Sequence, residues 1–215
     1  IMERYIKYGY SDFVIALGYK SHIIKNYFAN YYLMSSDFKV NLSNGVIEAK
    51  NKIGMNCNVT LVETGLETMT GGRLKRLKDY LYNERFFLTY GDGLSNVNLR
   101  KLLKFHNKKK GALVTMTAVR PPARFGAIKI VGERVKLFRE KSKLDEGWIN
   151  GGFFVINSRF LDYIDNSSTF LERSPLEKAA KQKQLFAFKH DGFWQCMDTK
   201  RDKENLEKVI NKIKF

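Results

Sequence analysis

The chain has 215 residues, 44% of them hydrophobic, which suffices for one sizeable core and is short for two. No stretch reaches the roughly 20 apolar residues of a membrane span, no basic and apolar leader opens the chain, and Cys57 and Cys196 are too far apart in sequence to suggest a disulfide framework or zinc site, so a single cytoplasmic domain is expected over 1–215 with no membrane partner. A formal charge of +16 attracts polyanions, yet the lysines are scattered and no nucleic-acid-binding motif is present; small phosphorylated substrates are the better match, and nucleic acid is not expected.

Ile1, Met2, Tyr5 and Ile6 recur at helical spacing and Gly9 follows as a stop, so the chain opens inside a helix. Asp12 to Leu17 reads as a short strand. Ser21 can cap a helix whose Ile23, Ile24, Tyr27, Phe28 and Tyr31 form one apolar face. Phe38 to Lys50 alternates apolar and polar residues around Ser43-Asn44-Gly45, a hairpin pattern. Val59 to Val62 is another strand, and the loop Glu63 to Gly72, with its threonines and paired glycines, suits ligand binding. Leu74, Leu77 and Leu81 mark a helix leading into the apolar run Phe86 to Tyr90, which reads as a buried central strand.

Leu99, Leu102, Leu103 and His106 share a helical face, with Lys108, Lys109 and Lys110 solvated at its end, and Ala112 to Val119 is the next strand. This alternation predicts a doubly wound α/β sheet. Beyond Pro121-Pro122, the shorter strands Ala127 to Val131, Arg134 to Glu140 and Trp148 to Ile156 predict a small antiparallel addition. Leu206, Val209, Ile210 and Ile213 place an amphipathic helix over Asp202 to Lys214. His22, His106 and His190 lack the spacing of a metal site or nucleophile dyad and read as structural, and Trp194 reads as core.

Two carboxylates stand out. Asp92 lies between Gly91 and Gly93 at the carboxyl end of a strand, where open α/β sheets bind ligands; a turn aspartate capping the next helix is the alternative. Asp198 closes the apolar segment Phe193 to Met197 immediately before a helix. Together they suit a shared divalent cation with phosphate ligands.

Five stretches carry a family resemblance. They are Thr68-Met69-Thr70-Gly71-Gly72-Arg73-Leu74-Lys75-Arg76, Thr89-Tyr90-Gly91-Asp92-Gly93, Arg120-Pro121-Pro122-Ala123-Arg124-Phe125-Gly126, Asn150-Gly151-Gly152-Phe153-Phe154 and Phe193-Trp194-Gln195-Cys196-Met197-Asp198-Thr199. In this order they resemble the sugar nucleotidyltransferase family, and within it the glucose-1-phosphate cytidylyltransferase branch. The resemblance implies a Rossmann-like nucleotidyltransferase fold, with a mixed, mostly parallel central sheet flanked by helices. It implies a reaction of CTP with glucose 1-phosphate, in line and assisted by Mg2+, in a homo-oligomer. It further implies that Asp92 and Asp198 hold the metal, and that Lys141 contacts the sugar phosphate and serves the chemistry. Glu140, Asn150 and Gly151 would then line the sugar side, and Thr68, Arg73 and Gly91 the nucleotide side. Arg124 is left uncommitted between that cleft and solvent. Family members open with a strand and a glycine-rich phosphate loop that do not precede Ile1 here, so a catalytically incomplete sugar-phosphate and nucleotide-binding fragment is one alternative. Use of UTP or dTTP is another. A metal-dependent glycosyltransferase is disfavoured, because Asp92 is followed by Gly93 and Leu94 rather than by an Asp-x-Asp element. Ser142, where the family commonly has proline, and Cys57, where tryptophan is common, depart from the pattern.

Overall fold

A computed structural model describes residues 1–50, 54–81, 85–121, 127–139 and 147–210. In chain order the elements are α1 (Met2–Lys7), β1 (Asp12–Leu17), α2 (Ser21–Met34), β2 (Asp37–Val40), β3 (Ile47–Lys50), β4 (Asn58–Glu63), α3 (Thr70–Arg76), β5 (Arg85–Thr89), β6 (Gly93–Ser95) and α4 (Leu99–Asn107). They continue with β7 (Val114–Val119), β8 (Ala127–Val131), β9 (Arg134–Arg139), β10 (Ile149–Asn157), α5 (Ser174–Lys181), β11 (Leu185–His190), β12 (Trp194–Cys196) and α6 (Lys200–Ile210). Two compact units result. One comprises Met2–Tyr82 and Leu161–Pro175, and the other Asn83–Phe160 and Leu176–Phe215.

In the first unit β1 and β4 pair in parallel, from Asp12 opposite Asn58 to Leu17 opposite Glu63. Tyr5, Leu17, Val62 and Leu74 are buried in this unit on the inward sides of their elements, and Leu77, Ile164 and Leu171 are buried from the connecting segments. Ser21 is not a cap: Lys20, at φ 56°, is the N-cap of α2, and Ser21 is its first helical residue. Its hydroxyl serves Glu63 instead. Lys25, 2.6 Å from Glu63, and then Ser21 hold that carboxyl below its ordinary range. The apolar face expected of α2 also differs, for none of its residues is buried, and Ile23 and Tyr27 are 50% and 57% exposed. Its rings pack on one another, Tyr27 against Tyr31 at 5.7 Å.

The second unit holds a four-stranded mixed sheet of order β11-β7-β10-β5, parallel between β11 and β7 and antiparallel on both sides of β10. Helix α4 packs on β7, β10 and β11, burying Leu99 and Leu102 completely. It starts where the Asn98 side chain accepts the Lys101 N–H at 2.9 Å, satisfying one of the helix's first donors. The α/β architecture with a mixed sheet and flanking helix is thus the expected one, but this sheet is not mostly parallel: the segment expected in a small antiparallel addition, Trp148 to Ile156, forms β10 inside it, because its apolar run is buried between β7 and β5. The run around Phe86 is not a central strand, however. It forms β5, half-buried at the edge of this sheet, because only β10 pairs with it among the described residues. The antiparallel hairpin of β8 and β9 turns at Gly132, with φ at 64°. Segments α5 and β11 have no counterpart among the expected elements.

Candidate active site

Strand β5 delivers the chain to the turn Tyr90-Gly91-Asp92, and β6 then pairs antiparallel with β12: Ser95 opposite Trp194, Leu94 opposite Gln195, Gly93 opposite Cys196. One further bond, from the Met197 N–H to the Asp92 carbonyl at 2.9 Å, extends the ladder to its end. Asp92 and Asp198 therefore leave neighbouring strands at the same end, and neighbouring strands lie about 4.8 Å apart. Both side chains are exposed. The Cys196 thiol donates to Asp198 Oδ2 at 3.2 Å, orienting that carboxylate.

The ladder is braced at its other end. Asn96 Oδ1 accepts the Phe193 N–H at 2.8 Å, and the Phe193 carbonyl accepts both the Asn96 N–H at 3.0 Å and the Ser95 hydroxyl at 2.9 Å. Gly192 is required there, since a Cβ would lie 2.4 Å from Asn96 Oδ1. Just past Asp198, Thr199 and Asp202 bond reciprocally: Asp202 Oδ2 accepts the Thr199 N–H at 3.1 Å, and Thr199 Oγ1 accepts the Asp202 N–H at 3.2 Å. This is a capping box that starts α6.

Asn150 and Gly151 join the same frame. The register of β10 against β7 breaks between Asn150 and Phe154, and Gly152 takes φ 74°. That bulge turns backbone groups out of the β7 ladder, and they must find other partners. The Trp194 indole N–H donates to the Gly151 carbonyl at 2.7 Å, the Tyr90 N–H to the Gly152 carbonyl at 3.0 Å, and the Gly152 N–H to Asn150 Oδ1 at 2.9 Å. Trp194 is thus half-buried and directional, not core filler. Asp92, Asp198, Asn150 and Gly151 are brought together by hydrogen bonds that tie β5, β10 and β12. Gly91 faces open space, because a Cβ built on it would meet nothing within 4 Å. Glu140, Lys141 and Arg124 lie outside the described residues.

Thr68 and Arg73 belong to the first unit. Thr68 is buried. Arg73 is engaged on backbone and hydroxyl acceptors: Nη1 donates to the Leu17 carbonyl at 3.1 Å, Thr64 Oγ1 at 2.8 Å and the Gly65 carbonyl at 2.8 Å, and Nη2 to the Leu66 carbonyl at 3.1 Å. The guanidinium thus clamps the ends of β1 and β4 to the loop after β4. The paired glycines expected in that loop instead lie in the first turn of α3, and packing explains them. Cβ atoms on Gly71 and Gly72 would lie 2.7 Å from the Thr169 carbonyl and 2.4 Å from the Ser167 carbonyl.

A family model described as "Nucleotidyl transferase" matches residues 1–199. The chain belongs to the nucleotidyl transferase family. Curated relatives of this nucleotidyl transferase include the glucose-1-phosphate cytidylyltransferase of Salmonella typhi, 47% identical over 215 residues, covering 100% of this chain and 83% of the relative. The probable glucose-1-phosphate cytidylyltransferase of Bacillus subtilis (strain 168) is 37% identical over 212 residues, covering 98% and 82%. Among solved structures, HddC from Yersinia pseudotuberculosis superposes with a TM-score of 0.64 at 17% identity over 97% of this chain and 83% of that one. A UDP-glucose pyrophosphorylase complexed with UDP-glucose gives 0.63 at 15% identity over 98% and 84%. At such identities these two structures establish the shared Rossmann-like nucleotidyl transferase fold. Among the described residues no helix is long and apolar enough to cross a membrane.

Proposed function

We propose that the chain transfers a cytidylyl group from CTP to glucose 1-phosphate, giving CDP-glucose and pyrophosphate. The full-length similarity to glucose-1-phosphate cytidylyltransferases supports the substrates, and one structural observation carries the site: Asp92 and Asp198 leave the same end of one ladder, hydrogen-bonded to the bulge that holds Asn150 and Gly151. A phosphate oxygen of the sugar ester attacks the α-phosphorus of CTP, forming the new P–O bond while the bond to the bridging oxygen breaks and pyrophosphate leaves. No covalent protein nucleophile is needed, so the work is positioning and charge neutralisation.

The donor set fits Mg2+. Among the described residues no three or more metal-ligating side chains converge, so a cation here takes two carboxylates from protein and the rest from phosphate and water, as magnesium prefers. When bound, it would neutralise charge on the phosphate oxygens. Asn150 keeps its Oδ1 on the Gly152 N–H, leaving the Nδ2 amide as donor to a sugar hydroxyl, and Gly151 supports that wall from behind, buried against Val119 and Thr117 where a Cβ would clash. Gly91 lets the nucleotide approach the main chain. Arg73 acts on the nucleotide through the loop it clamps, and Thr68 from within that loop. Glu140 and Lys141 complete the sugar-phosphate side, and the working form is a homo-oligomer.

Calorimetric titration with CTP, with and without Mg2+, tests the carboxylates. Asp92→Asn and Asp198→Asn should each remove the Mg2+-dependent gain, with the double variant no worse than either, as for two ligands of one ion. An undiminished gain in either variant would reject the shared site. Pyrophosphate release should favour CTP over UTP and dTTP; equal rates would reject the cytidylyl assignment.

A further inference from the structure

Helix α2 carries an apolar row largely open to solvent. Ile23, Tyr27 and Tyr31 recur every four residues and so share one side of the helix, and Met34, three residues further on, is 76% exposed. A hollow of about 410 Å3 runs along this side, walled from Ile23 to Met34 by α2 itself and closed by Ser35. The row is already ordered. The Tyr27 ring stands edge-on to those of Phe28 at 5.1 Å and Tyr31 at 5.7 Å, so little side-chain freedom is left to lose when it is covered. The polar residues of the hollow serve each other: Asn30 Nδ2 donates to Asn26 Oδ1 at 2.7 Å and to the Asn26 carbonyl at 2.9 Å.

Charge decides what can cover this face. The chain carries +16, yet Ser21–Met34 holds a single formal charge, Lys25, whose ammonium lies 2.6 Å from the Glu63 carboxylate. Helix α4, by contrast, has Arg100, Lys101 and Lys104 in nine residues, all three exposed. Acidic proteins, nucleic acid and anionic bilayers are drawn to surfaces like α4, and α2 offers them no field. A second copy of the chain has the opposite requirement, because two bodies of +16 repel least where both are neutral. Aromatic side chains without free charge also match the core of a protein interface. A contact between identical surfaces must fit itself across a two-fold axis, and a row spaced every four residues does so, since such rows interdigitate with their own kind. With the axis at Tyr27, the most exposed of the three, Ile23 of each helix faces Tyr31 of the other. The hairpin of β2 and β3, which follows α2 in the chain, has the same character. Phe38, Val40 and Ile47 lie on one of its faces, 40% to 47% exposed, while the other is neutral, with Asp37 opposite Lys50 and Lys39 opposite Glu48. Helix and hairpin together reach the roughly 20–30 residues a side of a stable interface, which α2 alone does not.

We propose that α2 is the docking surface for a second copy of this chain, the two α2 helices packed antiparallel about a two-fold axis at Tyr27. The inference rests on the chain working as a homo-oligomer and assigns the face that joins the copies.

Sedimentation velocity of the whole chain over a concentration series reads the association. Tyr27→Arg sets like charges against each other at the axis and should weaken self-association by about tenfold or more, as should Ile23→Glu and Tyr31→Lys taken singly. Mixing the Ile23→Glu and Tyr31→Lys chains should restore most of it, because the introduced charges are opposite and the antiparallel packing brings them together. Ile23 and Tyr27 are exposed, so their variants should melt like the wild type; a variant that melts lower is judged by the mixture, since misfolded chains would not rescue each other. Undiminished association in all three variants would overturn the α2 face while leaving the homo-oligomer reading intact. Weakened variants whose mixture stays dissociated would overturn the antiparallel packing. A wild-type chain that remains monomeric throughout would sink both readings, and co-sedimentation of that monomer with phosphatidylcholine vesicles would give the face to lipid instead.

Discussion

Trp194→Phe tests whether the frame holding the carboxylates is made by the indole hydrogen bond. The substitution keeps a ring on β12 and deletes the donor that lies 2.7 Å from the Gly151 carbonyl. Gly151 is buried, and the bulge has already taken it out of register with β7, so its carbonyl loses its side-chain partner in a place where water is scarce. An unsatisfied buried acceptor costs about 1–3 kcal/mol. With a urea dependence of about 2 kcal/mol per molar, the denaturation midpoint should fall by roughly 0.5–1.5 M. Circular dichroism reads that transition, and amide exchange locates it: protection should drop at the Tyr90 and Gly152 N–H groups, which bond within the same bulge. Glucose 1-phosphate should bind more weakly in step. A variant within 0.5 kcal/mol of wild type, or one destabilised with exchange at Tyr90 and Gly152 unchanged, would show that Trp194 merely fills space.

Two glycine substitutions should separate packing from ligand approach. Gly72→Ala drives a Cβ to 2.4 Å from the Ser167 carbonyl and should cost about 1–3 kcal/mol in urea denaturation. Gly91→Ala meets nothing within 4 Å and should leave stability within about 0.5 kcal/mol while lowering CTP affinity in calorimetry. Arg73→Lys should lose about 2 kcal/mol or more, because one ammonium cannot replace a fork bonded to Leu17, Thr64, Gly65 and Leu66; a neutral result would remove the clamp. Stability should also decline as pH falls below the ordinary histidine value of 6.5. His106 is buried with Nδ1 2.9 Å from Thr115 Oγ1, and desolvation, then the charge of Arg85, hold its pKa down. The unfolded chain therefore takes up the proton first, and the neutral-state stability is lost as pH falls through the folded value. His106→Gln should flatten that limb of the pH curve, and an unaltered slope would assign it to other groups.

Elements with a strong period were legible. The strand Asp12–Leu17, the helix from Leu99 and the hairpin turning at Gly132 emerge where the sequence places them, because burial of one face demands a period the chain displays. The apolar stripe of α2 has that same period and yet no residue of it is fully buried, since amphipathicity says that a face can be buried and not by what. The strand-end positions of Asp92 and Asp198 were legible, the first from Gly91 and Gly93 and the second from the apolar run Phe193 to Met197 before a helix. Their bracing was not: Trp194 to Gly151, Asn96 to Phe193 and Arg73 to the loop after β4 all end on backbone carbonyls or amides, which have no side-chain identity to read. The capping box Thr199-x-x-Asp202 was readable and marks the start of α6 directly after Asp198.

The glycines show most clearly what separates the two kinds of information. Gly71 and Gly72, which the sequence presents at the end of a binding loop, and Gly91, beside Asp92, look alike in sequence. Gly71 and Gly72 are closed by the backbone of Thr169 and Ser167, so their missing Cβ serves the fold. Gly91 is bare with open space before it, one residue from a carboxylate whose partner strand carries the second. A Cβ at Gly71 or Gly72 would strike backbone, whereas one at Gly91 would stand in open space, so packing demands glycine at the first two positions and not at the third. The selection for Gly91 should therefore come from binding and not from stability, which is why its alanine variant should melt like the wild type and still fail to hold the nucleotide.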